Sequence, residues 1–136
     1  MKRAILALAC GAAITTGCQR TVDLKPSGVK SFDAKVAQAR KENKPLLVMV
    51  SAPWCGACVA MQSEFDHPAM RRMMERTVPY VINYDAPVTQ DIRTRLYSRG
   101  PIPATLLISP QGKVLGQWVG WSGVDQHVTQ VRAAMR

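Results

Sequence analysis

The chain has 136 residues, 47% of them hydrophobic and 20% charged, with a formal net charge of +9. This is the length and composition of one ordinary globular domain, with apolar residues enough for a core that needs no disulfide staples. The basic residues are scattered and are not interleaved with aromatics, so the charge reads as a solvated surface, and no nucleic-acid partner is expected.

Lys2 and Arg3 precede an apolar stretch, Ala4 to Ile14, broken only by Gly11 and too short to span a bilayer as a helix. Together they read as a secretory signal peptide. The stretch ends in ITTGCQR, where a small residue followed by Cys18 resembles a bacterial lipobox, the motif whose cysteine is lipidated and becomes the mature N-terminus. Thr15 stands where that pattern prefers Leu. An ordinary cleaved signal, with Cys18 incidental, is the alternative. Loss of Lys2 and Arg3 lowers the net charge from +9 to +7. The expected organisation is a signal segment over 1–18, a tether over 19–30, polar and carrying Pro26 and Gly28, and a folded domain over 31–136. Cys10 is then discarded and Cys18 discarded or acylated, leaving Cys55 and Cys58 in the domain. Export places that pair in an oxidising compartment.

The helical pattern starts at Ser31, a candidate N-cap, with Phe32, Val36 and Ala39 on one face, and fades before Pro45. The unbroken apolar run Leu46 to Val50 predicts a central strand covered on both faces. Val59, Met61, Phe65, Met70, Met73 and Met74 predict a long helix bent or broken near His67-Pro68. Tyr80 to Tyr84 reads as a strand, 88–98 as a helix, and ATLLIS and KVLGQWVG as a hairpin joined at PQG. Val124, Val128, Val131 and Met135 mark a C-terminal amphipathic helix. Strands alternating with helices predict an α/β fold: a central mixed sheet with helices on both faces and a late antiparallel hairpin.

SAPWCGACVA puts Cys55 and Cys58 at the junction of a strand and a helix. There the unpaired backbone N–H groups and the helix dipole stabilise negative charge, and the thiolate is the species that attacks a disulfide. Cys55 is the expected nucleophile. Cys58, one turn on, faces it and is the expected resolving thiol. Gly56 and Ala57 are small and leave Cys55 open to a large substrate. A zinc site would need about two further ligands. Only His67 and His127 are available, both far from the motif in sequence. The methionines at 61, 70, 73 and 74 read as core filler.

APWCGAC resembles the thioredoxin active site, and the order of elements resembles that fold. RGPIPATLLI places Ile102-Pro103 where thioredoxin-like proteins carry a cis-proline facing the CxxC loop, and Gly120 matches the glycine that closes the family's last strand. Within this superfamily, KPLLVMVSAPWCGACVAMQSEFDHPAMRRMM and GPIPATLLISPQGKVLGQWVGW are most similar to the C-terminal thioredoxin-like domain of DsbD, from about Ser31 to the C-terminus. The resemblance implies a thiol-disulfide oxidoreductase with no organic cofactor, its redox group being the Cys55-Cys58 disulfide. It implies that Trp54 walls the site and that the backbone at Ile102 and Pro103 pairs with the substrate chain. It also implies disulfide-containing exported proteins as substrates, a membrane-bound electron donor, and a location on the periplasmic side of the cell envelope, with the lipid anchor as membrane contact.

Two positions depart from the family. Thioredoxins have a buried Asp six residues before the first cysteine, where this chain has Met49. The DsbD-type domain has an acid four residues after the second, where this chain has Gln62. Both acids help move the resolving thiol's proton. Besides a reductase, the sequence admits an oxidase or isomerase, and a non-catalytic peptide-binding module.

Overall fold

The computed structural model describes residues 19–136; the expected signal segment, 1–18 with Cys10 and Cys18, lies outside the described residues. Five helices and four strands follow in the order α1 (Lys30–Glu42), β1 (Leu46–Ser51), α2 (Gly56–Ser63), α3 (Pro68–Met74), β2 (Val78–Asn83), α4 (Gln90–Leu96), β3 (Ala104–Ile108), β4 (Val114–Val119) and α5 (Val124–Ala134), with a 3₁₀ turn at Pro87–Thr89.

The strands form one mixed sheet in the order β2-β1-β3-β4. β1 and β2 run parallel, and β1–β3 and β3–β4 are antiparallel. Every residue of β1 is buried, which is why its sequence is an unbroken apolar run. The pleat sends alternate side chains to opposite faces. Leu46, Val48 and Val50 join Phe32, Val36 and Ala39 of α1 and Ile92 and Leu96 of α4 in one core. Leu47 and Met49 join Met61, Met70 and Met73 of α2 and α3 and Val128 and Val131 of α5 in the other. The methionines are core residues, and the α/β sandwich matches the expectation from sequence.

The element boundaries hold some differences. α1 begins one residue before Ser31, with Val29 as N-cap, and the Ser31 hydroxyl lies 3.1 Å from that of Tyr80. α1 ends at Asn43, whose left-handed backbone (φ 50°) lets its N–H reach the carbonyls of Ala39 and Arg40. The predicted long helix is two helices, because His67 caps α3 with its Nδ1 on the Ala69 N–H and Pro68 opens the first turn.

The expected tether is the larger correction. Arg20 to Lys25 lie against the domain. Thr21 bridges to Lys113 at the hairpin, Val22 N–H reaches Gly112 O at 2.7 Å, and Arg20 O accepts from Val114 N–H at 2.9 Å. Arg20 also bonds Gln117 Oε1 and the Leu96 carbonyl, and Leu24 is 5% exposed within the core. The alternating Val22 and Leu24 supply a side chain to bury and a backbone to pair, which outweigh the polar composition around them. No helix among the described residues is long and apolar enough to cross a membrane.

Candidate active site

The site forms where β1 ends and α2 begins. Ala52, Pro53 and Trp54 carry the chain off the sheet, and Cys55 is the N-cap of α2, with extended backbone (φ −91°, ψ 107°). Cys55 and Cys58 are joined as a disulfide, their Cα atoms 5.2 Å apart. Cys55 Sγ accepts the backbone N–H of Cys58 at 3.3 Å, so the sulfur occupies the capping position of the helix. Cys55 keeps 8% of its surface exposed and Cys58 none. Of the pair, only Cys55 therefore keeps any accessible surface.

The opposite wall comes from the loop before β3. The Ile102-Pro103 peptide is cis, and Ile102 O lies 3.7 Å from Cys55 Sγ. Gly120, at φ 87° after β4, donates its N–H to Pro103 O at 2.8 Å and so ties the end of β4 to this loop. Ile102 and Tyr84 pack against the small cluster of Ala52, Cys55 and Cys58. The fold thus gathers Trp54, Cys55, Gly56, Ala57, Cys58, Ile102 and Pro103 at one end of the sheet.

Trp54 is 68% exposed, and its Nε1–H donates to Asp85 Oδ2 at 2.6 Å. Gly56 and Ala57 are exposed, and the space beside the Gly56 Cα is open. One turn beyond Cys58 on α2, Gln62 Nε2 donates to Ser51 Oγ at 2.5 Å. The two line a groove of about 290 Å³ with Ala52, Pro53, Val59, Val81 and Asn83. Trp121 packs its ring at a tilt of 54° against that of His127 of α5, centroids 5.3 Å apart, and lines a second groove with Glu64, His67 and Asp125. Among the described residues no group of three or more His, Cys, Asp or Glu is placed to hold a metal ion.

Three residues around the site escaped the sequence reading. Asp85 follows a strand and carries no motif. Ser51 shows its role only once Gln62 is folded onto it. Arg93 had a readable signal: it lies three residues before Leu96, on the buried stripe of α4.

A family model described as a thioredoxin-like domain matches residues 32–133. Among solved structures, the reduced C-terminal domain of DsbD from Neisseria meningitidis aligns with a TM-score of 0.63 at 21% identity, covering 77% of this chain and 95% of that one. A thioredoxin from Thermus thermophilus aligns with a TM-score of 0.67 at 19% identity, covering 76% and 82%. A poplar thioredoxin h aligns with a TM-score of 0.65 at 19% identity, covering 81% and 93%. At these identities the structural likenesses speak to the fold. No curated protein matches.

Proposed function

The chain belongs to the thioredoxin-like family and is a thiol-disulfide oxidoreductase, and from that premise we propose that it works outside the cytoplasm as a reductase of protein disulfides. The observation that carries the reading is the capping position of Cys55. Its sulfur receives a helix N–H, lies 3.7 Å from the Ile102 carbonyl oxygen, and belongs to the one residue of the pair that keeps any accessible surface.

In the reducing direction, the Cys55 thiolate attacks one sulfur of a substrate disulfide. A mixed disulfide forms and the other substrate sulfur leaves as a thiolate. Cys58 then gives up its proton and attacks Cys55 Sγ. This closes the Cys55–Cys58 disulfide and releases the second substrate sulfur, so two electrons have passed to the substrate. The substrate backbone lies beside Ile102 and Pro103, with Trp54 as the neighbouring wall. The chemistry needs no organic cofactor, because the cysteine pair is the redox group.

The signal-like segment 1–18 supports export, and its Cys18 supports a lipid anchor on the periplasmic side of the cell envelope. An oxidising compartment returns the pair to the disulfide, so the cycle requires an electron donor, assigned here to a membrane-bound dithiol protein. The substrates are exported proteins that carry disulfides. In this reading the catalytic domain includes the strap at 20–25 and continues through 136.

Insulin reduction by dithiothreitol tests the activity. Wild-type protein accelerates it, and Cys55→Ser and Cys58→Ser do not; equal rates in all three would point instead to a peptide-binding module. Equilibration with glutathione tests the direction. A potential near thioredoxin's, about −270 mV, marks a reductase, and one near −120 mV marks an oxidant.

A further inference from the structure

Arg93 is a buried charge that the exchange chemistry above does not use. It is 7% exposed, on α4. Its Nη1 donates to Ser98 O at 2.9 Å, and its Nε is buried with no hydrogen-bond partner. The ion pairs among the described residues are Lys25–Asp23, Lys44–Glu42 and Arg95–Asp91, so no carboxylate neutralises Arg93 there. Its Cζ stands 4.4 Å from the centroid of the Tyr84 ring. Tyr84 in turn packs against Ala52, Cys55 and Cys58. Tyr84 thus touches both the guanidinium and the small cluster that holds the cysteines.

A buried cation without an anion is costly, and a ring face compensates only part of that cost. The elements around the sulfurs supply no anion. β1, α2 and β3 read LLVMVS, GACVAMQS and ATLLI, and carry no charged side chain. Asp85 on the loop after β2 is engaged by Trp54 Nε1 at the mouth of the site. On α4 itself Asp91 is paired with Arg95, and the neighbouring tyrosines are Tyr84 and Tyr97, the latter bonded through its hydroxyl to Pro101 O. The missing anion appears when the pair is reduced. Two electrons and two protons cleave the S–S bond to two thiols, and loss of one proton to water leaves a thiolate in the cluster against which Tyr84 packs.

We propose that Arg93 is the counter-cation of the reduced site, acting through the Tyr84 ring to favour the Cys55 thiolate and to raise the reduction potential of the Cys55–Cys58 pair. It is a positioning residue that sets how strongly the enzyme reduces, and it touches neither sulfur nor substrate. The proposal rests on the dithiol reading of Cys55 and Cys58, and on neither export nor the direction of flow.

The test is a titration of the protein labelled with ¹⁵N-arginine and reduced with dithiothreitol, an external dithiol that supplies the electrons. The Arg93 Nε resonance, assigned by its loss in Arg93→Lys, moves with pH with the same midpoint as the alkylation rate of Cys55, and the movement vanishes in Cys55→Ser. A resonance that ignores both reduction and pH overturns the proposal. In a second arm, Arg93→Met raises the alkylation midpoint by about one pH unit, slowing alkylation at pH 7 up to about tenfold, and lowers the potential, while Arg93→Lys keeps most of the wild-type profile. A folded Arg93→Met whose profile superimposes on wild type also overturns it. Should Arg93→Met fail to fold, the wild-type titration decides alone. Insulin reduction and this titration read different quantities, so the two readings fall separately.

Discussion

Gln62 Nε2 donates a 2.5 Å hydrogen bond to Ser51 Oγ, joining the second turn of α2 to the end of β1. Gln62 follows Cys58 by four residues, which puts both on one face of the helix. An amide at this position cannot take the resolving thiol's proton. Gln62→Glu restores a proton acceptor one turn from Cys58. We expect it to speed release of the mixed disulfide at pH 7 by about tenfold, below the usual range for a well-placed general base. Stopped-flow resolution of a preformed Cys55 adduct measures this, and an unchanged rate would show that water alone serves.

Once the pair is reduced, the two thiols differ in access and in environment. Cys55 keeps 8% of its surface accessible and is the N-cap of α2, and Cys58 is fully buried. Iodoacetamide is expected to modify Cys55 first, with half-maximal rate below the value of about 8.5 for an unperturbed thiol. Mass spectrometry of the alkylated peptides across pH gives both the order and the midpoint.

Trp54 projects its ring into solvent and is held by Asp85. Asp85→Asn weakens a charge-assisted hydrogen bond at an exposed site, so the loss of stability is about 1 kcal/mol or less. The effect should fall on substrate recognition, with KM for insulin raised several-fold and the Cys55 alkylation rate little changed. Steady-state kinetics beside a thermal melt separates the two.

The N-terminal strap has a measurable weight. Leu24 is 5% exposed and packs with α1 and the sheet. Leu24→Ala leaves a cavity and is expected to cost about 2 to 3 kcal/mol, read as a lower urea midpoint. A segment that served only as a tether would tolerate the change without loss.

His127 makes stability depend on pH. It is 4% exposed, its Nε2 has no hydrogen-bond partner, and burial pushes its pKa below the ordinary histidine value. The folded state therefore prefers the neutral ring. Its contribution is complete above about pH 6.5 and is lost as pH falls below that, at up to about 1.4 kcal/mol per pH unit. Asp23, Asp33 and Glu42 have pKa values lowered chiefly by hydrogen bonds from Lys25, Ser27 and Lys44 respectively, so what they contribute is present at both pH values compared below and is lost only in stronger acid. Urea midpoints at about pH 7.5 and 5.5 should differ in wild type and converge in His127→Gln.

Sequence reasoning succeeded where one strong pattern governs a segment. β1 has every side chain buried, so its run of apolar residues was unambiguous, and the CxxC motif followed it directly. Pro103 was placed by resemblance to the cis-proline of thioredoxin-like proteins. Reasoning failed where the partner is distant in the chain. Arg20 meets Gln117, and Arg95 reaches the carbonyls of Asp23 and Lys25, contacts that no local pattern announces. Asp85 was illegible for the same reason, because its role depends on an indole that lies 31 residues earlier. The break at Pro68 was legible, but His67 as the cap of the next helix was not, since a histidine acting through Nδ1 is an uncommon N-cap.

The account depends on Cys55 being the sulfur that attacks. Incubating the reduced Cys58→Ala protein with disulfide-bonded insulin and analysing the product by mass spectrometry tests this most directly. The account predicts a stable mixed disulfide on Cys55, released by dithiothreitol and absent from Cys55→Ala. No adduct on Cys55, or an equal adduct on Cys58 in the Cys55→Ala protein, would contradict it.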